Sequence, residues 1–573
     1  MPQLELPFSE EVKADKRTKE QVERRFYQMM SQQLQEVVQK NRFLLEYLYM
    51  VPIGKVGIPQ YYPKLSRKLG DSKQPNLIYP VSDYCFTHIC PDLQGEWIYY
   101  IPIEPTLTKN LDSLMLEVER RLLDFVDRFS ASDTEGKKRQ VLLDCIDEIC
   151  STNVVSLKKL RFGKNGNGRN GHIKVTRSEL EGIKYLIIRD KIGLGILEPL
   201  IRDPYIEDIS CSGLGNIYIE HKIFKSLKSS IVLSTFEELD EFVLSLSERV
   251  KKPVSLHNTI ADAALPDGSR INIVYGKHLS KRGSNFSIRK FSEVPFSILE
   301  LIEFGTLDYK MAAYLSLVIA QGMNIFMSGE TASGKTTTLN ALTTFIQPSA
   351  KIVSIEETPE LQVPHKNWIR EVVETKKEEA EGVTMFDLLK AALRQRPNFI
   401  LIGEIRGSEG SIAFQAMQTG HSVMSTFHAA SVEKLIQRLT GDPIYVPKNY
   451  VDNLNVVIIQ AAVRLPDGKA ARRVLSISEI IGYDSQSQSF SFVEIFRWNP
   501  VTDTFEFTGN MSSYLLEEKI ATRLGIPSHK RKQVYAELER RAKILEKIHK
   551  ERGVRGFYEF LQVLAKAQRE GLF

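Results

Sequence analysis

Cysteine is scarce in this sequence. Five residues in 573, an odd number, exclude a disulfide framework as the basis of the fold. No run reaches 18 apolar residues without a charge, so no segment is predicted to cross a membrane as a helix. A secretory leader is not recognisable, because residues 1–19 are polar and carry both signs of charge. An excess of one charge is also lacking. The 76 Lys and Arg stand against 71 Asp and Glu, and the net +5 is too small over this length to draw in nucleic acid by bulk charge. Internal repeats are absent. What remains is ordinary globular usage, 42% hydrophobic and 26% charged, which predicts a soluble, intracellular protein. The length corresponds to roughly three to four domain-sized units.

The cysteines offer little chemistry. Cys85-Phe-Thr-His88-Ile-Cys90 is looser than the CxxC pair of a zinc knuckle and has no second half, so a metal site there is disfavoured. Cys145 and Cys150 fall on an apolar helical stretch and are expected to be buried thiols. Residues 9–48 form a charged helix by pattern, with Val22, Phe26, Met29, Met30, Leu34 and Val37 at helical spacing. This suits either a partner-docking helix or one packed on its own domain. Residues 52–80 read as irregular, and strands are expected near 84–89 and 97–103, then helices over 111–129 and 139–150. The Gly/Asn-rich run 163–171 reads as a solvated loop. From Arg177 helix and strand alternate, with strands expected at 185–188, 208–211 and 217–219 and a helix over 237–250. A turn at 264–271 feeds a strand, and another strand at 285–291 runs into Pro295. Beyond it βα alternation continues to about Ala462, the pattern of a parallel sheet with helices on its faces, and 528–573 is helical. The fold class is therefore α/β. The expected division is a helical docking segment over 1–60, an N-terminal α/β domain over 61–290, a hinge over 291–297, and a second α/β domain with C-terminal helices over 298–573.

Four boxes in this second domain carry chemistry. An apolar strand ends at Ser328 and is followed by Gly329, Glu330, Thr331, Ala332, Ser333, Gly334, Lys335, Thr336 and Thr337, a GxxxxGK[ST] loop opening a helix. Its glycines let backbone N–H groups form an anion nest. Lys335 would reach the β- and γ-phosphates of ATP, and the Thr336 hydroxyl would ligate Mg²⁺. A second strand ends in Glu356-Glu357-Thr-Pro-Glu360, carboxylates suited to orienting water or helping to hold the metal. Which of the three acts as base stays open. A third strand ends in Gly403-Glu404, with glycine where an aspartate is usual, and Glu404 would contact Mg²⁺ or its water. The fourth strand is bracketed by His421 and His428, which would sense the γ-phosphate or relay its state.

In this order the boxes resemble the secretion ATPase superfamily of type II secretion, type IV pili, conjugation-type secretion and archaeal surface filaments. The resemblance covers roughly 185–545. Residues 329–341, 358–368, 425–429 and 438–443 are similar to its archaeal branch, and the match is closest to archaellum motor ATPases. The paired CxxC zinc insertion of bacterial pilus ATPases is lacking, since no cysteine follows Cys211. The resemblance implies a RecA-like ATPase domain joined to a mobile N-terminal domain, a homo-hexameric ring, and ATP bound in the cleft between the domains. It also implies arginines that stabilise γ-phosphate charge, for which Arg270 and Arg289 fit, with Arg282 in reserve. The implied function is an ATP-hydrolysing motor at the cytoplasmic face of a membrane, acting on the archaellum through a polytopic platform protein with no direct nucleic-acid binding. The alternatives are a pilus assembly ATPase, a conjugation-type ATPase, or a nucleotide-gated scaffold without turnover.

Overall fold

The computed structural model describes residues 3–4, 6–7, 27–66, 69–70, 72, 74–91, 97–105, 111–126, 128, 135–152, 172–291, 294–373 and 382–573. The part of the expected first helix before Tyr27 and the loop 163–171 lie outside them. The chain divides into two units, Met1–Ser292 and Glu293–Phe573.

The first unit is built on one eleven-stranded sheet. Its main strands are β1 (Leu77–Ser82), β2 (Cys85–Pro91), β3 (Ile98–Ile103), β4 (Ile206–Cys211), β5 (Gly215–His221), β6 (Lys225–Leu233), β7 (Ile260–Ala264), β8 (Arg270–Val274) and β9 (Asn285–Arg289). They lie in the order β7-β8-β9-β4-β5-β6-β3-β2-β1, extended by Gln60–Tyr61 at one edge, with Gln3–Leu4 also pairing with β6. In β5 buried and half-buried residues alternate, as a strand with one covered face requires. Helix α1 (Gln32–Lys40) and α2 (Arg42–Leu48) are separated at Asn41, so the pattern read as one helix is two. Their Leu34, Val38, Leu44, Tyr47 and Leu48 are buried with Ile78, Phe86 and Ile101 of the sheet. Of the two uses weighed for this helix, packing on its own domain is the one observed within the described residues.

Three helices share a core of their own, α3 (Asp112–Leu122), α4 (Glu135–Ile149) and α5 (Arg177–Lys191), in which Val118, Cys145, Ile146, Ile183 and Ile187 are buried together. Residues 185–188, expected as a strand, lie inside α5. A four-residue apolar run does not separate strand from buried helix. Here Thr176 and Glu179 close a capping box at the helix start, and Gly182, Ile183, Leu186 and Ile187 fall on one buried face. Helix α6 (Phe236–Arg249) buries Leu239, Val243 and Leu246 against the sheet.

The second unit holds a nine-stranded sheet: β10 (Ile325–Ser328), β11 (Ile352–Glu356), β12 (Trp368–Val372), β13 (Phe399–Ile402), β14 (Ser422–Phe427), β15 (Val456–Arg464), β16 (Ala470–Asp484), β17 (Ser489–Asn499) and β18 (Thr504–Phe507). The order is β12-β11-β13-β14-β10-β15-β16-β17-β18. Strands β12 to β15 in that order are parallel, and β15 to β18 are antiparallel. In β10, β11, β13 and β14 every residue is buried. Ile325 and Met327 enter one core and Phe326 the other, so helices cover both faces of the sheet. On one side lie α7 (Tyr309–Ala320), α8 (Lys335–Leu342) and the C-terminal α12 (Val534–Lys550) and α13 (Phe557–Arg569); on the other are α9 (Met385–Arg394), α10 (Glu409–Gln418) and α11 (Val432–Thr440). The antiparallel extension was not anticipated from the sequence. Register shifts at Ile477/Ser478 and Ile480/Gly482 interrupt its alternation.

Candidate functional site

The parallel strands β10, β11, β13 and β14 end on one edge of the sheet, and their C-terminal residues meet there. β10 delivers the loop that opens α8. Gly334 caps that helix at φ 95° and Ala332 lies at φ 62°, so the loop folds back through left-handed backbone. Its glycines answer to a neighbour. β15 shifts register between Ile459 and Gln460, and a Cβ on Gly329 would stand 2.0 Å from the Gln460 carbonyl oxygen. One on Gly334 would stand 3.0 Å from Gln460 Nε2. Gln460 is itself held where Thr338 Oγ1 donates to its Oε1 at 2.8 Å.

Lys335 is buried under the loop. Its Nζ donates to the carbonyl oxygens of Gly329 at 3.0 Å and Glu330 at 2.9 Å. Burial lowers its pKa, while the carboxylates of Glu404 and Glu360 pull the other way. Ser333 Oγ closes the loop by donating to Glu330 O at 2.8 Å. Glu330, Thr331 and Ala332 are exposed at the apex, and Thr336 and Thr337 are half-buried in the first turn of α8. A concave, glycine-dependent loop at a helix N-terminus, with a desolvated ammonium inside it, fits a polyphosphate. Among the described residues no cluster of three or more His, Cys, Asp or Glu is arranged to cage a metal. In a site of this kind magnesium is held by phosphate oxygens with one or two side chains rather than by a protein cage, and the loop accommodates that arrangement.

The three acids of the second box have different surroundings. Glu356, at the end of β11, is 1% exposed. Its Oε1 accepts from the backbone N–H of Glu360 and of Leu361, each at 2.7 Å, and its Oε2 from Arg370 Nε at 3.3 Å. Burial raises its pKa and those donors oppose the rise. It pins the loop that follows the strand. Asn340 of α8 holds the same loop, donating to Glu360 O at 3.2 Å and accepting from Gln362 N at 3.0 Å. Glu357 is exposed and accepts from Arg406 Nη1 at 3.0 Å.

Glu404 follows β13. Strand β14 lies between β13 and β10 in the sheet, so the ends of β13 and β14 flank the loop. Glu404 Oε1 is 3.0 Å from His428 Nε2, and Glu404 Oε2 accepts from Arg406 Nη2 at 2.8 Å. His428 Nδ1 is 3.4 Å from Lys335 Nζ. The structure thus joins Lys335, His428, Glu404, Arg406 and Glu357 in one polar chain. Gly403 packs against Glu356, since a Cβ there would stand 3.2 Å from Glu356 Cγ. The space where an aspartate side chain would begin belongs to Glu356.

The histidines separate. His428 follows β14 at the loop end, and His421 precedes it, seven residues away and so roughly 20 Å along an extended strand. His421 Nδ1 lies 3.1 Å from Thr419 Oγ1, outside the polar chain. Arg270 and Arg289 belong to the first unit, where β8 and β9 pair them directly in register. Arg282 is exposed and donates to Leu214 O at 3.4 Å. All five cysteines are buried and unpaired, and His88 is occupied by Tyr47 and Asn76.

Sequence reading missed four residues of this site. Gln460 and Arg472 come from the overlooked hairpin β15–β16. Arg406 lies two residues beyond the glutamate that ends the third box. Arg438 donates to His428 O and covers the Phe427 ring at 5.3 Å. None belongs to a phosphate-binding pattern, and only contact reveals them.

The sequence profile described as type II/IV secretion system protein matches residues 190–519. An uncharacterized protein of Methanocaldococcus jannaschii is 42% identical over 95% of this chain and 98% of its own length. The type IV secretion system protein PtlH of Bordetella pertussis is 30% identical over 43% of this chain and 79% of its own. Among solved structures, the VirB11 ATPase of the Brucella suis type IV secretion system matches 49% of this chain and 92% of its own at 23% identity and a TM-score of 0.26. The pilus retraction motor PilT matches 49% and 80% at 21% identity and a TM-score of 0.36. With the profile aligned over more than half its length, around the very loop and carboxylates described above, the chain belongs to the type II/IV secretion system protein family.

Proposed function

We propose that the protein hydrolyses ATP with Mg²⁺ and converts the cycle into mechanical work at the cytoplasmic face of a membrane, as a homo-hexamer acting on a polytopic platform protein. The single observation that carries the hydrolytic reading is the contact chain from Lys335 through His428 to Glu404, a cation and an acid linked by a titratable ring beside a polyphosphate cradle.

In this reading Lys335 leaves the carbonyls of Gly329 and Glu330 for phosphate oxygens, and the N–H groups of the loop and of α8 orient the phosphates. Thr336 and Glu404 would hold the magnesium, which would supply positive charge to the terminal phosphates. Glu404 exchanges its Arg406 contact for the attacking water or its metal. Glu356 acts at one remove, by fixing the backbone that presents Glu360. Arg270 and Arg289, adjacent in register, act as a pair on the developing γ-phosphate charge. His421 takes no part in the chemistry of its own subunit and is available to report strand β14 to a neighbour.

The machine we assign is the archaellum, with assembly and rotation as the work done. This rests on the likeness of residues 329–341, 358–368, 425–429 and 438–443 to the archaeal branch. An archaeal type IV pilus ATPase shares those motifs. The similarity to PtlH favours a secretion machine as the second reading. The test is phosphate release by the purified chain, and electron microscopy of cells whose only copy carries Lys335→Ala. ATP-dependent release from the native chain and loss of swimming filaments with thin pili retained support the proposal. Loss of pili alone selects the pilus reading, both filaments surviving selects export, and no release from the native chain refutes the hydrolytic assignment.

A further inference from the structure

Two adjacent arginines of β16 have opposite fates. Arg473 is 4% exposed, and Asp503 accepts from its Nε and Nη2, both at 2.7 Å, while Phe304 O accepts from Nη1. Arg472, on the other face of the strand, is exposed and has no carboxylate partner among the described residues. Among the described residues its one side-chain hydrogen bond runs from Nε to the Ala332 carbonyl at the apex of the phosphate loop, at 3.0 Å. Its stem crosses Gly334, where a Cβ would stand 3.2 Å from Arg472 Cδ. The guanidinium is thereby fixed at the rim of the cradle, and its two Nη groups are uncommitted among the described residues.

The side of the cradle matters. The polar chain of Lys335, His428 and Glu404 lies toward β14 and β13, on one flank of β10. β15 and β16 lie on the other flank. A nucleotide whose terminal phosphate faces Glu404 and His428 leads its nucleoside away from them, toward the β15–β16 flank. Gln460 on that flank is buried and committed to Thr338. Two exposed arginines lie on that flank, Arg464 at the end of β15 and Arg472, and it is Arg472 that meets the loop, with its Nη donors open among the described residues.

We propose that Arg472 forms the nucleoside side of the site, laying its guanidinium against the base while its Nε holds the loop apex. This rests on the nucleotide reading of the cradle. A planar, delocalised cation stacks on a base face and keeps its in-plane donors available. Ala332 at positive φ turns its carbonyl outward to meet it.

The experiment is calorimetric titration of the full chain and of R472A and R472K with ATP, ADP and tripolyphosphate, each with Mg²⁺. R472A is expected to weaken ATP and ADP alike, by roughly tenfold, and to leave tripolyphosphate within about twofold, with kcat nearly unchanged and KM raised. R472K is expected to recover only part of the loss, because it restores charge without the plane. Photolabelling with 8-azido-ATP should mark the peptide carrying β16 in the native chain. Equal weakening of tripolyphosphate, unchanged affinity for all three ligands, or loss of ATP with ADP retained overturns the assignment. A native chain that binds tripolyphosphate and neither nucleotide refutes the nucleotide reading itself, which separates the two failures. Arg472 is exposed, so thermal unfolding of R472A should match that of the native chain.

Discussion

His428 Nε2 stands 3.0 Å from Glu404 Oε1 while its Nδ1 stands 3.4 Å from Lys335 Nζ, so one imidazole touches both the acid and the cation of the site. Only one arrangement of protons satisfies both contacts with a neutral ring: Nε2–H donates to Glu404, and the Nδ1 lone pair accepts from Lys335. Burial lowers the His428 pKa, Glu404 opposes that shift, and the nearby Lys335, Arg406 and Arg438 add to it. We predict that His428→Ala lowers ATP turnover by roughly tenfold to a hundredfold and changes nucleotide affinity by no more than about threefold. Single-turnover kinetics and calorimetry of the same variant check it; a large affinity loss at normal turnover contradicts it.

Lys335→Ala is expected to lower turnover by at least about a thousandfold and leave the fold intact. Removing the ammonium costs the carbonyls of Gly329 and Glu330 a donor but also relieves the burial of a charge, so the two effects offset in the stability of the fold. Phosphate release and the unfolding midpoint should therefore part company. Near-normal release would remove Lys335 from the site.

Glu356 and Glu404 should respond in opposite ways. Glu356→Ala leaves the N–H groups of Glu360 and Leu361 without their acceptor, at about 1–3 kcal/mol of stability, and activity falls along with the fold. Glu404→Gln should abolish turnover with the unfolding midpoint unchanged. A Glu356→Ala protein as stable as the native one would show that its contacts are incidental.

Gly403→Asp restores the acid usual at this place in a phosphate-loop enzyme, and we predict that it inactivates this one. The new Cβ would lie 3.2 Å from Glu356 Cγ, and a second carboxylate would be forced beside a buried one. Chemical denaturation should register a loss of about 2 kcal/mol or more. Unchanged stability would mean that β11 and β13 can move apart at their ends.

Acid sensitivity of the first unit is predicted from two buried histidines. Burial lowers both His88 and His221 to about 3, with Lys222 and Lys225 adding to the effect at His221. The unfolded chain binds these protons from about pH 6.5 downward and the folded chain does not until about 3. Their contribution to stability is therefore complete above that window and lost as pH falls through it. The buried Glu104 and Asp203, raised by burial, act in the opposite sense and soften the loss. His88→Gln should reduce the pH slope of stability by up to about 1.4 kcal/mol per pH unit, read from urea midpoints at pH 7 and pH 5. Parallel curves would contradict it.

The sequence alone determined the phosphate loop, the acidic strand ends and the α/β class. Each depends on residues close in the chain: glycines and a lysine at fixed spacing, a carboxylate at the end of an apolar run, helix and strand in alternation. It misread 185–188, because four apolar residues in a row carry no period and the deciding capping box lies nine residues earlier. It offered two histidines as a pair, but a six-residue strand sends its flanking residues to opposite edges of the sheet. It left three glutamates open, and only packing distinguished them: β11 buries Glu356 against backbone donors, while Arg406 reaches Glu357 across 49 residues of sequence and ties it to Glu404. The need for glycine at 329 comes from Gln460, and the cation at the loop apex is Arg472, 140 residues from the carbonyl it holds. Such contacts are decided by strand order and register, which bring distant residues within hydrogen-bond reach and leave no local pattern behind.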